Sequence, residues 1–209
     1  MIAIVDYGIG NIRSVWKALE YLGVEAALAS DAATLAGADG IVLPGVAAFG
    51  DAAAELRRRG LESPLREAIA ADQPFLGICV GMQLLFEESE EMGRHRGLGV
   101  LSGRVRRFPA GQRAPQLGWN QVLPRRFDPL LAGFGDGEWA YFAHSYYAEP
   151  AEPAVVLGET EYGCRYASLV GKGRLYGIQF HLEKSQAAGL RILGNFARLA
   201  EQAAKVGAA

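Results

Sequence analysis

Apolar residues fall into two alternating patterns along the chain, short unbroken runs and longer stretches at helical spacing. Residues 2–5, Ile-Ala-Ile-Val, contain no polar position, which predicts a strand buried on both faces. Asp6 to Gly10 reads as a turn, and Asn11 stands where a helix N-cap would. Ile12, Val15, Trp16, Leu19 and Leu22 then repeat on one helical face until Gly23. Residues 24–28 and 41–43 predict a second and a third strand, the third ended by Pro44-Gly45. Helical spacing follows over 50–59 and over 63–71, with Pro64 at the first helical position. Residues 75–78 predict another buried strand, and Met82, Leu85 and Phe86 a helix after it. Strand alternating with helix predicts a parallel sheet covered by helices on both faces.

Beyond residue 97 the pattern changes. Short strands broken by Gly and Pro are expected at 100–108, 120–123, 139–147, 154–157, 166–170 and 175–180, in antiparallel or mixed pairing. Ser185 is placed to cap a last helix carrying Leu190, Leu193 and Phe196. The expected fold class is α/β. It is a single domain over 1–201 with a central, mostly parallel or mixed, flavodoxin-like sheet flanked by helices, antiparallel strands in its second half, and a frayed tail over 202–209.

Composition narrows the function classes. A chain of 209 residues suits one core, and 50% apolar with 21% charged residues excludes disorder. With 21 basic and 23 acidic residues the net charge of −2 argues against a nucleic-acid partner held by bulk phosphate attraction. No apolar run approaches the ~18 residues that a bilayer span needs, so no membrane partner is expected. The opening Met-Ile-Ala-Ile-Val-Asp lacks the marks of an export signal, and Cys79 and Cys164 are too few for a disulfide framework, so a cytoplasmic location is expected. His95, His144 and His181 are too dispersed for a recognisable metal site, and neither metal nor cofactor is expected. The eight arginines between Arg94 and Arg126 read as solvated strand edges in preference to a partner-facing surface.

The most informative stretch is Phe75-Leu76-Gly77-Ile78-Cys79-Val80-Gly81-Met82-Gln83. An apolar strand runs into Gly-x-Cys-x-Gly and then into a helix, the thiol form of a nucleophile elbow. Gly77 and Gly81 remove side chains where strand and helix meet. The helix N-terminus favours a thiolate and leaves the Val80 N–H free to hold an oxyanion. A buried structural cysteine beside packing glycines is the plainer alternative, and it is how Cys164 reads. A thiol nucleophile needs a proton carrier and an orienter. Gln179-Phe180-His181-Leu182-Glu183-Lys184-Ser185 supplies both, because in an extended chain His181 and Glu183 project to the same side. His144 competes as the base but has no adjacent carboxylate, and His95 lies in a polar, solvated loop.

These motifs, with Asp6-Tyr7-Gly8-Ile9-Gly10-Asn11, Leu43-Pro44-Gly45-Val46, Leu117-Gly118-Trp119-Asn120 and Tyr141-Phe142-Ala143-His144-Ser145-Tyr146-Tyr147, make the chain resemble the class I glutamine amidotransferases. Within them it resembles the glutaminase subunits that work beside a (β/α)8-barrel cyclase in histidine biosynthesis. The resemblance implies a Cys79–His181–Glu183 triad that hydrolyses L-glutamine through a thioester and passes ammonia to that cyclase partner in a heterodimer. It implies an oxyanion hole at Val80, Gly45 and Val46, glutamine held by Gln83, Ser145 and Tyr146, and Asn11, Trp119, Tyr141 and Lys184 at the partner interface or channel mouth. Trp119 and Tyr141 read equally well as core aromatics, and Asn11 as a helix cap. The chain departs from the family pattern in three places. Ala47 replaces a glycine of the oxyanion loop, where a positive φ would cost alanine on the order of 1 kcal/mol. Leu182 replaces a proline between the His and the Glu, which would hold the triad less rigidly, and Gln116-Leu117 replaces His-Met before Gly-Trp-Asn. The alternatives are a glutaminase subunit of another synthase, a thiol hydrolase of similar fold, and a binding module without activity.

Overall fold

The computed structural model describes residues 1–207. Strands β1 (Ile2–Val5), β2 (Ala26–Ala29), β3 (Gly40–Gly45) and β4 (Phe75–Cys79) form where the unbroken apolar runs predict them. The helices between them are α1 (Ile12–Tyr21), α2 (Ala32–Ala36), α3 (Phe49–Arg58) and α4 (Glu62–Ala70). Every residue of β1, β3 and β4 is buried, as strands covered on both faces must be. Strand β13 (Leu175–Ile178) joins them from the far end of the chain, parallel to β4. The parallel core therefore runs β2-β1-β3-β4-β13, the flavodoxin-like order. Because such crossovers are right-handed, the reversal of direction at β1 sends α1 to one face of the sheet and α2, α3 and α4 to the other.

The second half supplies an antiparallel and mixed extension. One-turn helix α5 (Val80–Gln83) follows β4, then come β5 (Phe86–Ser89), β6 (His95–Arg96), β7 (Leu101–Arg107), β8 (Gln116–Pro124), β9 (Glu138–His144), β10 (Tyr146–Pro150), β11 (Val156–Glu161) and β12 (Arg165–Lys172). The sheet continues past β13 as β12-β10-β7-β5-β6, while β11, β8 and β9 branch off β12 as an antiparallel wing. The chain closes with α6 (Gln186–Gly207), packed on α1. This is the α/β single-domain architecture with antiparallel strands in its second half that the pattern predicts.

Several local expectations are corrected. The helix expected through Phe86 stops at Gln83, and Phe86 begins β5. Phe86 and Ser89 are buried while Glu87 is exposed, and pairing with β7 outweighs the helical spacing of Met82, Leu85 and Phe86. Helix α2 has no counterpart in the apolar pattern, because Ala32, Ala33 and Ala36 carry no periodicity. Its readable signal is Asp31, whose carboxylate accepts the Thr34 N–H at 2.8 Å as an N-cap. Pro64 sits within the first turn of α4, which begins at Glu62, in a position whose N–H has no helical partner to lose. The expected strand 139–147 is two strands broken at Ser145. Helix α6 runs on through 202–207, part of the stretch expected to fray, and residues 208 and 209 lie outside the described ones. Arg94, Arg104, Arg106 and Arg125 pair with Glu88, Glu149 and Glu159 at the surface, as expected of solvated edges. Among the described residues no helix is long and apolar enough to cross a membrane.

The tightest packing lies at the elbow. A Cβ on Gly81 would overlap the Leu43 carbonyl oxygen of β3, and one on Gly77 would stand 2.5 Å from the Gly81 carbonyl oxygen. Both obstacles are backbone and cannot rotate away. Gly81→Ala is therefore expected to destabilise the fold by at least ~3 kcal/mol, at the upper end of overpacking costs, as measured by urea unfolding of the purified variant.

Candidate active site

Cys79 ends β4 with φ 55 and ψ −112, one of few non-glycine residues at positive φ. The strained turn predicted for the Gly-x-Cys-x-Gly motif is present, and Cys79 is nearly covered at 3% exposure. Helix α5 is a single turn, so its dipole is small, yet the Val80 N–H is among the donors that such a start leaves without a helical acceptor. Strands β4 and β13 run level, Gly77 beside Gly177 and Ile78 beside Ile178. Cys79 and Gln179 therefore emerge together at the carboxyl ends of their strands, where open α/β sheets place their sites.

Past Ile178 the chain leaves the sheet. His181 donates its backbone N–H to Tyr141 O at 2.9 Å, and Leu182–Lys184 form a 3-10 turn. The extended segment expected around His181 and Glu183 is thus absent, but the turn still brings His181 Nδ1 to 2.9 Å from Glu183 Oε1. The same oxygen accepts Asn11 Nδ2–H at 3.0 Å, and Asn11 Oδ1 accepts the Ser14 hydroxyl at 2.7 Å. Asn11 makes no side-chain cap to α1 and instead orients the carboxylate. Glu183 Oε2 is buried with no hydrogen-bond partner, so one oxygen of the acid carries all its contacts. Ser185, placed before α6, has its hydroxyl between the Tyr141 N–H at 2.9 Å and the His181 carbonyl at 2.6 Å.

Burial acts to lower the His181 pKa, but hydrogen bonds to Cys79 and Glu183, together with their charges, outweigh it and raise the imidazole from 6.5 to about 10. Burial acts to raise Glu183, yet the bond to His181 and its charge hold the carboxyl below its usual range. His144 behaves in the opposite way. It is fully buried, its Nδ1 lies 2.8 Å from Tyr146 O and its Nε2 3.3 Å from the Tyr166 hydroxyl. Burial foremost drops its pKa to about 4, so both ring nitrogens are engaged in a neutral, structural role. His95 is half-buried in β6, in contrast to the solvated loop expected.

Cys79, Val80, Gln83, Ser145, Tyr146, His181 and Lys184 line one cleft of about 380 Å³ with the loop Val46, Ala47 and Ala48. Gly45 is the β3 residue opposite Cys79 in the ladder. Ala47 is not at positive φ, so its methyl group imposes no strain in this loop conformation. Leu182, in the place of proline, is buried at the start of its turn. Gln83 donates both amide protons to the protein, to Tyr146 O at 2.9 Å and Gln179 Oε1 at 3.1 Å, leaving its own oxygen as the group a ligand can use. Two residues at the site escape a reading of the sequence. Gln179 donates to Cys79 Sγ at 3.8 Å, and its position at the end of β13, level with Cys79, is the available signal. Glu91 places a carboxylate on the cleft and accepts the Phe49 N–H at 2.7 Å, and nothing in its acidic surroundings marks it.

Trp119, Tyr141 and Lys184 lie together beside this cleft. The Trp119 and Tyr141 rings meet edge-on at 6.0 Å, and Lys184 Nζ stands 5.5 Å from the Tyr141 centroid. They are not core aromatics, since Trp119 is 44% exposed, and strand alternation sets it on one face with Leu117 (68%), Trp139 (55%) and Tyr141. Asn11 is set apart from them by its bond to Glu183. Both cysteines are free, and among the described residues no three His, Cys, Asp or Glu side chains are grouped as a metal would need.

A model of the family "Glutamine amidotransferase class-I" matches residues 3–199. The subunit HisH of imidazole glycerol phosphate synthase from Symbiobacterium thermophilum is 54% identical over 198 residues, 95% of this chain and 93% of that one. The HisH subunits of Moorella thermoacetica and Rhodopirellula baltica are 48% and 50% identical, over 99% and 94% of this chain and 98% and 97% of theirs. Among solved structures, a glutamine amidotransferase superposes with a TM-score of 0.76 at 23% identity, covering 96% of this chain and 100% of that one, and PurLQS from Thermotoga maritima with 0.76 at 20% identity, covering 95% and 97%. This chain belongs to the class-I glutamine amidotransferase family, in the branch that these HisH subunits form.

The opposed shifts of His181 and Glu183 fix how stability depends on pH. The raised imidazole contributes fully below its unfolded value of 6.5 and loses that contribution as pH rises through about 10. The lowered carboxylate contributes above its unfolded value of 4.5 and loses it as pH falls through its folded value. Glu183→Gln is therefore expected to cost about 2 kcal/mol at pH 7, with the gap to the unmodified chain closing above pH 10 and in strong acid, as read by urea unfolding across pH.

Proposed function

We propose that this chain is the glutaminase subunit of an imidazole glycerol phosphate synthase, acting in histidine biosynthesis in the cytoplasm. The observation that carries the reading is a thiol on a strained strand-to-helix turn, facing a carboxylate-held imidazole in a cleft sized for an amino acid, in a chain similar at 48–54% identity to HisH subunits along nearly its whole length.

In this reading the sulfur of Cys79 adds to the carboxamide carbon of L-glutamine. The carbonyl oxygen becomes an oxyanion held by the Val80 N–H and by the Gly45–Val46 segment. His181, steadied by Glu183 and through it by Asn11, gives its proton to the departing nitrogen, and the C–N bond breaks to release ammonia. The γ-glutamyl thioester remains on Cys79. His181 then takes a proton from water, the hydroxide adds, and the C–S bond breaks to free glutamate. The sum is glutamine and water to glutamate and ammonia, and it needs no cofactor. Gln83 and Glu91 offer acceptors suited to the substrate's α-ammonium group, and the Ser145–Tyr146 bend forms the opposite wall. Ammonia passes to a (β/α)8-barrel cyclase subunit, which makes imidazole glycerol phosphate and an aminoimidazole carboxamide ribotide.

The exposed Leu117, Trp119, Trp139 and Tyr141 face with Lys184 at its edge is the docking surface for that cyclase. Such an apolar face is costly to leave in water, and aromatic residues dominate the energetics of protein interfaces.

Cys79→Ala is expected to lower glutamate release by at least ~10⁴-fold in the presence of the cyclase, measured by a coupled glutamate assay. Trp119→Ala is expected to weaken the heterodimer by about 2 kcal/mol, roughly 30-fold in Kd, by calorimetric titration of the cyclase, with the thermal midpoint of the free chain nearly unchanged.

A further inference from the structure

Tyr7 lies past the end of β1 with its side chain wholly buried, and the chemistry of the triad gives it no part. A phenol hydroxyl is unfavourable to bury unless bonded, and a phenylalanine would fill the same space without that demand. Its bond goes to one place, the Pro44 carbonyl oxygen, at 2.8 Å. That carbonyl begins the loop that closes one side of the cleft. The next residue, Gly45, is caught from both sides: a Cβ there would stand 3.0 Å from the Tyr7 hydroxyl and 2.8 Å from Val80 Cβ. One residue further, Val46 is 54% exposed.

We propose that Tyr7 is a positioning residue of the oxyanion site, its hydroxyl clamping the Pro44–Gly45 peptide so that conformational freedom in the loop begins only at the Gly45–Val46 peptide. The reason is geometric. A peptide unit is planar, so fixing the Pro44 oxygen fixes the plane and the direction of the Gly45 N–H with it. Pro44 adds a locked φ on the upstream side. Gly45 also stays level with Cys79 through the β3–β4 ladder. The first freely turning unit is then the Gly45–Val46 peptide, the one whose N–H must meet the developing oxyanion. The clamp does not depend on pH in the working range, because burial first, and the nearby Cys79 charge second, push the phenol well above its ordinary pKa.

The proposal rests on the oxyanion role given to this loop, and two measurements separate the clamp from that role. In the unmodified chain, residue-resolved amide hydrogen exchange is expected to be slow at Gly45 and fast at Val46 and Ala47, and uniform exchange across the three overturns the clamp whatever the enzyme does. In the complex with the cyclase, Tyr7→Phe is expected to lower kcat for glutamine about tenfold with KM changed less than twofold, since a mispositioned donor is felt in the transition state alone. Alkylation of Cys79 by iodoacetamide, which creates no oxyanion, is expected to keep its rate. An unchanged kcat overturns the proposal. So does a fall in alkylation matching the fall in kcat, which would place the action of Tyr7 on the sulfur. Absence of glutamine turnover in the unmodified complex would instead overturn the glutaminase reading.

Discussion

The structure depends on one contact, the meeting of the Val80–Gly81 backbone with the Leu43 carbonyl of the neighbouring strand. It leaves no room for a side chain at Gly81, and it holds Cys79 at a positive φ that costs a non-glycine residue on the order of 1–3 kcal/mol. A corner of that kind persists only where the surroundings over-determine it. Here they are the fully buried strands β3 and β4, with Gly77 clearing the turn from the other side. The gain is placement. The thiol is lifted clear of the sheet at the level where β4 and β13 both end, so a segment a hundred residues later in sequence reaches it without a long loop.

The segment beyond β13 is a second rigid unit hung on the first. The His181 N–H binds Tyr141 O, the Ser185 hydroxyl joins Tyr141 N–H to His181 O, and Asn11 and His181 share one oxygen of Glu183. The imidazole is thereby fixed from α1, from β9 and from its own turn. Leu182 brings no fixed φ of its own to this turn. Rigidity that a fixed φ would supply locally is supplied by hydrogen bonds within the turn and from two other elements. Ala47 needs no such support, since its φ is not positive and its methyl group meets no backbone strain.

The parallel core and the elbow are legible in the sequence because both are local. Unbroken apolar runs mark doubly covered strands, and Gly-x-Cys-x-Gly at the end of one marks a turn in which two side chains are forbidden. The His–Glu pair is legible as a pair but for an incomplete reason, an extended chain where a 3-10 turn performs the same approximation. Less local features are hidden. Phe86 fits a helix by spacing and a strand by pairing, and only the presence of β7 decides. Asn11 looks like a cap because caps are read from the following helix, whereas its amide donates to a carboxylate 172 residues away. Glu91 reaches the cleft from an acidic stretch in which no residue stands out. Trp119 and Tyr141 cannot be divided between core and surface until the pairing of β8 and β9 shows which alternate positions face water.

The same pairing ties the exposed aromatic face to the chemistry. Tyr141 contributes its ring to that face, beside Trp119 and under Lys184, and its backbone to the segment that carries the base. Both its N–H and its carbonyl are bonded to that segment, at Ser185 and at His181. A shift of the Tyr141 strand would carry the His181 backbone with it, through these two hydrogen bonds. The loop of Val46, Ala47 and Ala48 has no such tie, being held upstream by Tyr7 at Pro44 and leaving the ladder after Gly45. The cleft thus has one wall bonded to the aromatic face and one wall that leaves its ladder at Gly45. Turning the one exposed peptide at Val46 disturbs far less packed surface than moving a strand bonded along its length.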